Sequence, residues 1–336
     1  MRQPDFRNLL KVLEKKVPDR PTLFELFLNR PLYEDFAKRS APEYNTVEEV
    51  IFLADAFAAA GYDYATVAAS DFQFKVHRES KQTTSLNHSA GLTSRAAFNE
   101  YPWPDPEAAD YSKMEKAAAH LPKGLKLMPL GPGGILENVT ALVGYEDMCM
   151  MLHDDPELLQ DIFNAVGERL VRYYELCVGY DTVGAVMSND DWGFNTQTFL
   201  SVEDMRKYVY PWHKKIVETA HKAGKPVILH SCGYFGDVMD DVIDVLKYDA
   251  KHSYEDVILP VEEAYEQWGG RIAIMGGIDV DFMIRSTPEE IQKRCKAMLE
   301  RTATQGGYAL GTGNSVPEYI PKENYLAMAS VAKGAE

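Results

Sequence analysis

Short apolar runs alternate with longer amphipathic stretches along the whole chain, and this alternation limits the possible folds more than any other feature. It is typical of a parallel β-sheet whose strands are joined by crossover helices. In chain order the runs are Thr22–Phe27, Ala65–Ala69, Lys126–Leu130, Thr182–Met187, Pro226–His230, Asp249–His252, Ile272–Met275 and Tyr308–Gly311. Eight such units in 336 residues predict an α/β chain folded as a single (β/α)8 barrel, the TIM-barrel architecture, with one domain spanning 1–336.

Several helices can be placed between these runs. The N-terminal residues 5–16 have the pattern of an amphipathic helix, and Tyr145–Tyr174 predicts two helices interrupted near Asp155–Pro156. The stretches Ser201–Ala223 and Thr287–Arg301 open with SVED and TPEE, which are helix-start signatures.

One connection is too long for a simple crossover. Residues from about 72 to 110, after the second run, include the cluster Tyr101-Pro102-Trp103-Pro104. A long loop on the active-site face of a barrel is usually a lid or a substrate-binding element. We predict a lid-like insertion, with a purely structural cover for a neighbouring loop as the alternative.

Composition excludes several classes of protein. The net charge of −16 and the absence of a basic stripe argue against nucleic-acid binding. No run of eighteen apolar residues occurs, so no membrane-spanning helix is expected. The N-terminus lacks a secretory pattern, and the four cysteines show no paired short spacing, which together predict free thiols in a cytoplasmic protein.

The chemistry of a (β/α)8 barrel lies where the strands end, because all carboxyl ends open onto one face. Candidate acids and bases at these ends are Asp71, Asp190 and Asp191. Their alternative role is to cap a helix or turn, or to orient a histidine. Further side chains at the strand ends or in the long connection are expected to contact a substrate; they are Glu25, Glu137, Trp103, Trp192 and Tyr254. For the aromatic residues among them, ordinary packing is the alternative.

The most specific local signal is His230-x-Cys232 at the end of the fifth run. In an extended segment alternate side chains point to the same side, so imidazole and thiolate could share a zinc ion. The alternative is a buried histidine beside an inert cysteine. A zinc site needs a further ligand, for which the candidates are Asp190, Asp191, His252, Glu255 and Asn314. His252, Glu255 and Asn314 could equally hydrogen-bond to a ligand instead of binding the metal.

The blocks HSCGYFGDVMDDVIDV, GGIDVDFMIRSTPEEI and ALGTGNSVPEYIPKENYLAM resemble the uroporphyrinogen-decarboxylase (URO-D) superfamily. The resemblance covers nearly the whole chain in order and implies a (β/α)8 barrel. True decarboxylases of this superfamily carry an N-terminal arginine-rich motif, where this chain has FELFLNR, and a C-terminal G-H-G segment, where it has Gly311-Thr312-Gly313. Asp71 matches their strand-end aspartate, so one of three diagnostic features is present.

The resemblance is stronger to the branch of corrinoid-linked methyltransferases, which hold zinc by an H-x-C pair after strand five and a cysteine near the last strand. His230 and Cys232 match the pair, whereas Asn314 stands where the cysteine would be. This departure implies relatives that demethylate methoxylated aromatic or methylamine-like donors, with the corrinoid carried by a partner protein. A homodimer is also implied as a possibility.

These observations predict a zinc-dependent methyltransferase that moves a methyl group between a small methylated donor and a corrinoid protein. Two alternatives remain open. One is a metal-free decarboxylase of another substrate that uses Asp71, and the other is a non-catalytic barrel that binds a tetrapyrrole or a corrinoid protein.

Overall fold

The computed structural model describes residues 2–76, 86–87 and 89–334. Its centre is a sheet of seven parallel strands in the order in which they follow one another along the chain. The strands are β1 (Tyr64–Ala68), β2 (Lys126–Leu130), β3 (Val186–Asn189), β4 (Val227–His230), β5 (Ala250–His252), β6 (Ala273–Met275) and β7 (Tyr308–Ala309). Each strand pairs in parallel with the next, as strands joined by crossover helices do. The predicted α/β barrel architecture is confirmed.

The predicted first strand is the exception. Residues 22–28 make only isolated parallel bridges, Leu23 to Leu310 and Leu28 to Val316, with a bend between them. On the other side the Tyr64 hydroxyl of β1 both accepts from the Glu25 backbone N–H, at 2.7 Å, and donates to the Glu25 carbonyl, at 2.6 Å. The segment therefore fills the eighth position of the barrel, between β7 and β1, without being a regular strand. The prediction of a strand here was wrong because a side chain replaces the backbone ladder on one edge.

Helices cover the outside of the sheet. In the described residues they are α1 (Phe6–Leu13), α2 (Arg30–Ala37), α3 (Val47–Ala60), α4 (Arg95–Glu100), α5 (Lys113–Lys116), α6 (Ile135–Val143), α7 (Tyr145–Asp154), α8 (Pro156–Val178), α9 (Val202–Asp204), α10 (Tyr210–Lys222), α11 (Val261–Trp268), α12 (Val280–Arg285), α13 (Pro288–Thr302) and α14 (Lys322–Lys333). Short 3-10 turns span Pro106–Ala108, Ala118–His120 and Gly236–Val238, and π-helical turns span Met205–Val209 and Asp241–Val245. No helix among these described segments is long and apolar enough to cross a membrane.

Local sequence signals set the helix boundaries. The break between α7 and α8 falls at Asp155, whose carboxylate accepts from the Leu158 N–H. The Ser201 hydroxyl accepts from the Asp204 N–H, and Thr287 with Glu290 forms a reciprocal capping box at the start of α13. Each cap satisfies an N–H group that has no partner inside the helix. The helix starts predicted from these motifs are confirmed.

The long connection after β1 contains α4, α5 and the two 3-10 turns that follow α4. Residues 77–85 and 88 of the expected lid-like insertion lie outside the described residues. Trp103 packs edge-on against Tyr101, with ring centres 4.7 Å apart, and the guanidinium of Arg169 lies over its ring. This part of the connection is thereby fastened to α8.

Candidate metal centre

The carboxyl ends of β3, β4 and β5 bring the predicted metal ligands together. The register pairs Asn189 with His230 and His230 with His252. The ladder continues one residue further, since the Asp190 N–H donates to the His230 carbonyl at 2.9 Å and the Ser231 N–H donates to the His252 carbonyl at 2.7 Å. Side chains that follow these strands therefore meet at one edge of the barrel mouth.

Asp191, His230 and Cys232 form a cluster in which the candidate ligand atoms all lie within 4.8 Å of one another. His230 Nε2 lies 3.6 Å from Cys232 Sγ, and the Cys232 N–H donates to Asp191 Oδ1 at 2.8 Å. One carboxylate, one imidazole and one thiolate form a donor set that suits zinc, with a fourth position left for substrate. The residues fit the metal that the sequence predicts, and Asp191 is the candidate for the third ligand.

The orientation of His230 is set by a chain of hydrogen bonds. His252 Nε2 lies 3.3 Å from the Thr312 carbonyl, which only accepts, so this nitrogen carries the proton. Burial lowers the pKa of His252 well below its ordinary value, and the neutral ring then accepts at Nδ1. His230 Nδ1 lies 2.8 Å from that nitrogen and must donate. His230 Nε2 therefore presents its lone pair towards Cys232.

Burial also keeps His230 neutral, since it lowers the pKa of the imidazole to about 4. A neutral imidazole is the form that binds a metal ion. The histidine is therefore held in both the tautomer and the charge state that metal binding requires.

The sulfur of Cys232 has two hydrogen-bond donors of its own. Asn314 Nδ2 lies 3.2 Å from Sγ, and the Ser253 hydroxyl lies 3.4 Å from it. Burial, followed by the charge of Asp191, raises the pKa of the thiol to about 12. A cation at this position would favour the thiolate, and the two donors would stabilise it.

Three other candidate ligands lie outside the cluster. Asn314 contacts the sulfur of Cys232, and His252 contacts His230. Glu255 is half-buried and is not part of the cluster.

Lys251 and Ser253 belong to the same neighbourhood, and neither is among the site residues expected from the sequence. The Lys251 ammonium is buried, donates to the Ser231 carbonyl at 3.0 Å and to the Ser253 carbonyl, and lies 3.6 Å from the centre of the Phe235 ring. Burial lowers its pKa to about 7. A lysine inside a predicted strand of the barrel was the available signal, since a buried cation is rare unless something holds it.

Asp190 is bound to the protein by both oxygens. It accepts from the Leu136 N–H at 3.0 Å and the Glu137 N–H at 2.9 Å, both in the first turn of α6. It also lies 3.0 Å from Trp192 Nε1 and 2.8 Å from His213 Nε2. Because the side chain is fully buried and engaged, its predicted catalytic role is corrected to that of an anchor between α6 and the end of β3.

The glycine-rich turn before α6 makes this anchor possible. A Cβ atom on Gly134 would lie 2.2 Å from the Asp190 carboxylate, closer than any side chain tolerates. The close approach of Asp190 to the helix therefore requires glycine at position 134.

A cavity of about 490 Å³ lies beside the cluster, at the carboxyl ends of β1 and β2. Asp71 and Glu137 line it, and Asp71 is exposed. Glu137 Oε2 accepts from the Gly134 N–H at 2.7 Å and lies 3.4 Å from Asn189 Nδ2. Burial, followed by the charges of Asp190 and Asp191, raises the pKa of Glu137 to about 8. Asp71 and Glu137 therefore lie where a substrate could reach them.

A larger groove, of about 580 Å³, lies at the opposite end of the barrel beside Lys15, Pro226 and Asp249. It faces the amino ends of β4 and β5, where barrel enzymes do not place their chemistry. The cavity next to the cluster is therefore the better candidate for a substrate site, although it is the smaller of the two.

The other predicted substrate contacts are engaged within the protein. Glu25 is fully buried and accepts from the Thr312 N–H at 2.8 Å and from the Thr312 hydroxyl at 2.6 Å. Trp192 and Tyr254 are also buried, and Trp103 donates from Nε1 to the Phe98 carbonyl at 3.1 Å. We correct the expectation that Glu25, Trp192 and Tyr254 contact substrate, because none of them presents surface to the mouth.

A parallel barrel whose mouth carries a candidate Asp-His-Cys metal cluster defines the class of protein. The chain belongs to the uroporphyrinogen decarboxylase (URO-D) family, whose model matches residues 61–335. The uroporphyrinogen decarboxylase of Myxococcus xanthus is 28% identical over 183 residues, which cover 53% of this chain and 49% of that protein. That of Bacillus mycoides is 24% identical over 181 residues, 53% of this chain and 48% of that protein. The matches thus span about half the length of these relatives.

Two solved structures share the fold. A methyltransferase from Methanosarcina mazei superposes with a TM-score of 0.70 and 14% identity, covering 97% of both chains. A putative vitamin-B12-independent methionine synthase from Listeria monocytogenes gives a TM-score of 0.50 and 11% identity, covering 100% of both chains. At these identities the likeness shows the fold.

Proposed function

We propose that this protein is a zinc-dependent methyltransferase of the URO-D family, which moves a methyl group between a small methylated donor and a corrinoid carried by a partner protein. The observation that carries the proposal is the cluster of Asp191, His230 and Cys232, with its ligand atoms within 4.8 Å. The methyltransferase that shares the fold over nearly its whole length supports the same reading.

Asp191, His230 and Cys232 would hold the zinc ion. When bound, zinc supplies a Lewis acid for an oxygen or a neutral nitrogen that carries the methyl group. A quaternary ammonium nitrogen has no lone pair to offer zinc, and its own positive charge makes it a leaving group. His252 keeps the lone pair of His230 aimed at the cluster, and Asn314 and Ser253 hold the sulfur from the other side. These contacts keep the centre in place before substrate arrives, so that little reorganisation is needed during the reaction.

The cavity lined by Asp71 and Glu137 would hold the donor next to this centre. In the transfer the bond between the methyl carbon and the donor heteroatom breaks, and the heteroatom keeps the electron pair. The methyl group would leave as a formal cation, and a reduced corrinoid on the partner protein would supply the electron pair of the new bond. The open barrel face would let both reactants approach from one side. We infer methoxylated aromatic or methylamine-like donors as the substrate class.

Decarboxylation of another substrate is a second candidate. The observation in its favour is the exposed Asp71 at the end of β1, together with the family relation to uroporphyrinogen decarboxylases. A decarboxylase of this kind would work without zinc and would depend on Asp71 rather than on Cys232.

The test is to purify the protein without a metal-binding tag, measure zinc by elemental analysis, and assay methyl transfer to reduced free cobalamin. We expect about one zinc per chain, lost together with transfer in Cys232→Ala. Cys149→Ala is the matched control, since Cys149 lies on α7 outside the cluster. Absence of zinc from the wild-type protein, even after supplementation, would overturn the proposal and favour the decarboxylase.

A further inference from the structure

The cavity beside the metal cluster has aromatic walls. Tyr44, Phe72, Phe74 and Tyr173 line it, and Phe72 stacks on Tyr173 with ring centres 6.0 Å apart. A volume of about 490 Å³ is in the range of pockets that enclose a small organic ligand. Aromatic rings attract both apolar groups and cations, so the walls alone do not decide the charge of the ligand.

The charged groups in the cavity are of one sign. Asp71 and Glu137 both line it, and none of the lining residues that the structure describes is a lysine, arginine or histidine. Asp71 makes no hydrogen bond or ion pair with another described residue, and only one oxygen of Glu137 is hydrogen-bonded, to Gly134 and Asn189. Each of these side chains therefore has a carboxylate oxygen available to a ligand.

The surroundings of Glu137 oppose its ionisation. Burial, followed by the charges of Asp190 and Asp191, raises its pKa to about 8, so a cation nearby would favour its carboxylate form. Its polar contact on β3 is Asn189, a neutral residue. An anionic ligand would add repulsion to groups that already repel one another, whereas a cation would relieve that repulsion. Aromatic walls around a positive centre add attraction of their own.

We propose that this cavity binds a compact organic cation, of the methylated ammonium type, through Asp71, Glu137 and the aromatic walls. The inference rests on the proposed function in one respect, namely that this cation is the methyl donor. Glu137 contacts Asn189 at the end of β3, and Asp191 lies close enough to act on its charge, so Glu137 connects the cavity with the strand end that carries the cluster. Anionic donors such as methoxybenzoates are excluded by the same charges.

Isothermal titration calorimetry with tetramethylammonium chloride tests the inference, against sodium chloride at equal ionic strength. Neopentyl alcohol serves as an uncharged ligand of similar shape, and 4-methoxybenzoate as an anion. We expect saturable binding of tetramethylammonium only. Asp71→Asn and Glu137→Gln should each weaken it about tenfold, which corresponds to about 1.4 kcal/mol. Glu300→Gln, on the exposed surface of α13, is the matched control and should bind as the wild type does.

Equal binding of neopentyl alcohol, binding of 4-methoxybenzoate, or unchanged affinity in both cavity variants would overturn the cation site. The outcome is separable from that of the proposed function. Zinc-dependent transfer from a neutral methoxylated aromatic without tetramethylammonium binding would refute the cation site alone. Tetramethylammonium binding in a protein that holds no zinc would support the cation site and refute the methyltransferase.

Discussion

The two sides of the barrel mouth use their polar groups in opposite ways. On the side of β3 to β5, the groups of the metal cluster and its neighbours are hydrogen-bonded to one another, as in the chain from Thr312 through His252 to His230. On the side of β1 and β2, Asp71 and Glu137 face a cavity whose described lining includes no cation, although the Lys113 ammonium lies over the ring of Tyr44 and senses the charge of Asp71. The first side is organised before any ligand binds, whereas the second is left electrostatically unsatisfied.

This difference indicates that the two sides have different roles, one as a candidate metal centre and the other as a candidate substrate site. A metal centre works when its ligands are fixed, and the cost of ordering them is met by folding. In a substrate site, the ligand completes the interactions of the polar groups. Unpaired charge is therefore expected in such a site, whereas it would be destabilising in a protein core. Three substitutions test the residue that joins the two sides, the independence of the two sides, and the ionisation of a buried group below the metal cluster.

The largest effect is expected at Asp190, which joins the two sides. Asp190→Ala leaves two N–H groups of α6, the Trp192 indole and His213 without their acceptor in a fully buried place. We expect a loss of about 4 kcal/mol in the free energy of unfolding, measured by urea denaturation. The exposed Asp154→Asn on α7 should change it by less than about 0.5 kcal/mol. A loss at Asp190 as small as that of the control would show that the sides are not joined there.

A more selective effect is expected at His252, which belongs to the metal side alone. His252→Phe keeps a ring of similar size against Phe24 but removes the acceptor of His230 Nδ1. Zinc affinity should fall about 10- to 100-fold in competition with a chromogenic chelator. Tetramethylammonium binding should stay unchanged, and His153→Phe on the surface of α7 should alter neither. A parallel loss of both affinities would contradict the independence of the two sides.

The smallest effect concerns Glu25, which holds Thr312 beneath the metal side. Burial raises its pKa from 4.5 to about 8, so the folded protein keeps a proton that the unfolded chain releases. This contribution to stability is complete below pH 4.5 and is lost as pH rises to about 8. Glu25→Gln should reduce the fall in melting temperature between pH 5 and pH 8. An identical pH profile in the variant would show that Glu25 is ionised in the folded protein.

Much of the fold could be predicted because the spacing of apolar residues along the chain follows which side chains are buried. Seven of the predicted strands are present in the structure, and Lys126–Leu130 has the predicted bounds. Strands of a parallel sheet are rich in apolar residues because both faces of the sheet are covered. The segment at 22–28 could not be told from a strand, since its apolar residues are also buried. What makes it irregular is the Tyr64 hydroxyl, which lies far away in sequence.

For the site, the sequence predicts which residues lie at the strand ends but not which of them contact one another. The pattern His230-x-Cys232 indicates in sequence that two candidate ligands lie on the same side of the strand. Asp190 and Asp191 are adjacent in sequence, and only the direction of each side chain distinguishes their roles. Asp190 points to α6, whereas Asp191 points to Cys232. The contacts of Ser253 and Thr312 depend on the register of β5 and β7, which a single sequence does not reveal.

The central claim is that Asp191, His230 and Cys232 hold one zinc ion. X-ray absorption at the zinc edge of the purified protein tests it most directly, because the spectrum counts sulfur neighbours. We predict one sulfur at about 2.3 Å, with the remaining ligands nitrogen or oxygen, and no sulfur in zinc-reconstituted Cys232→Ser. Bound zinc without a sulfur neighbour, with more than one, or with a sulfur that persists in the variant would contradict the account.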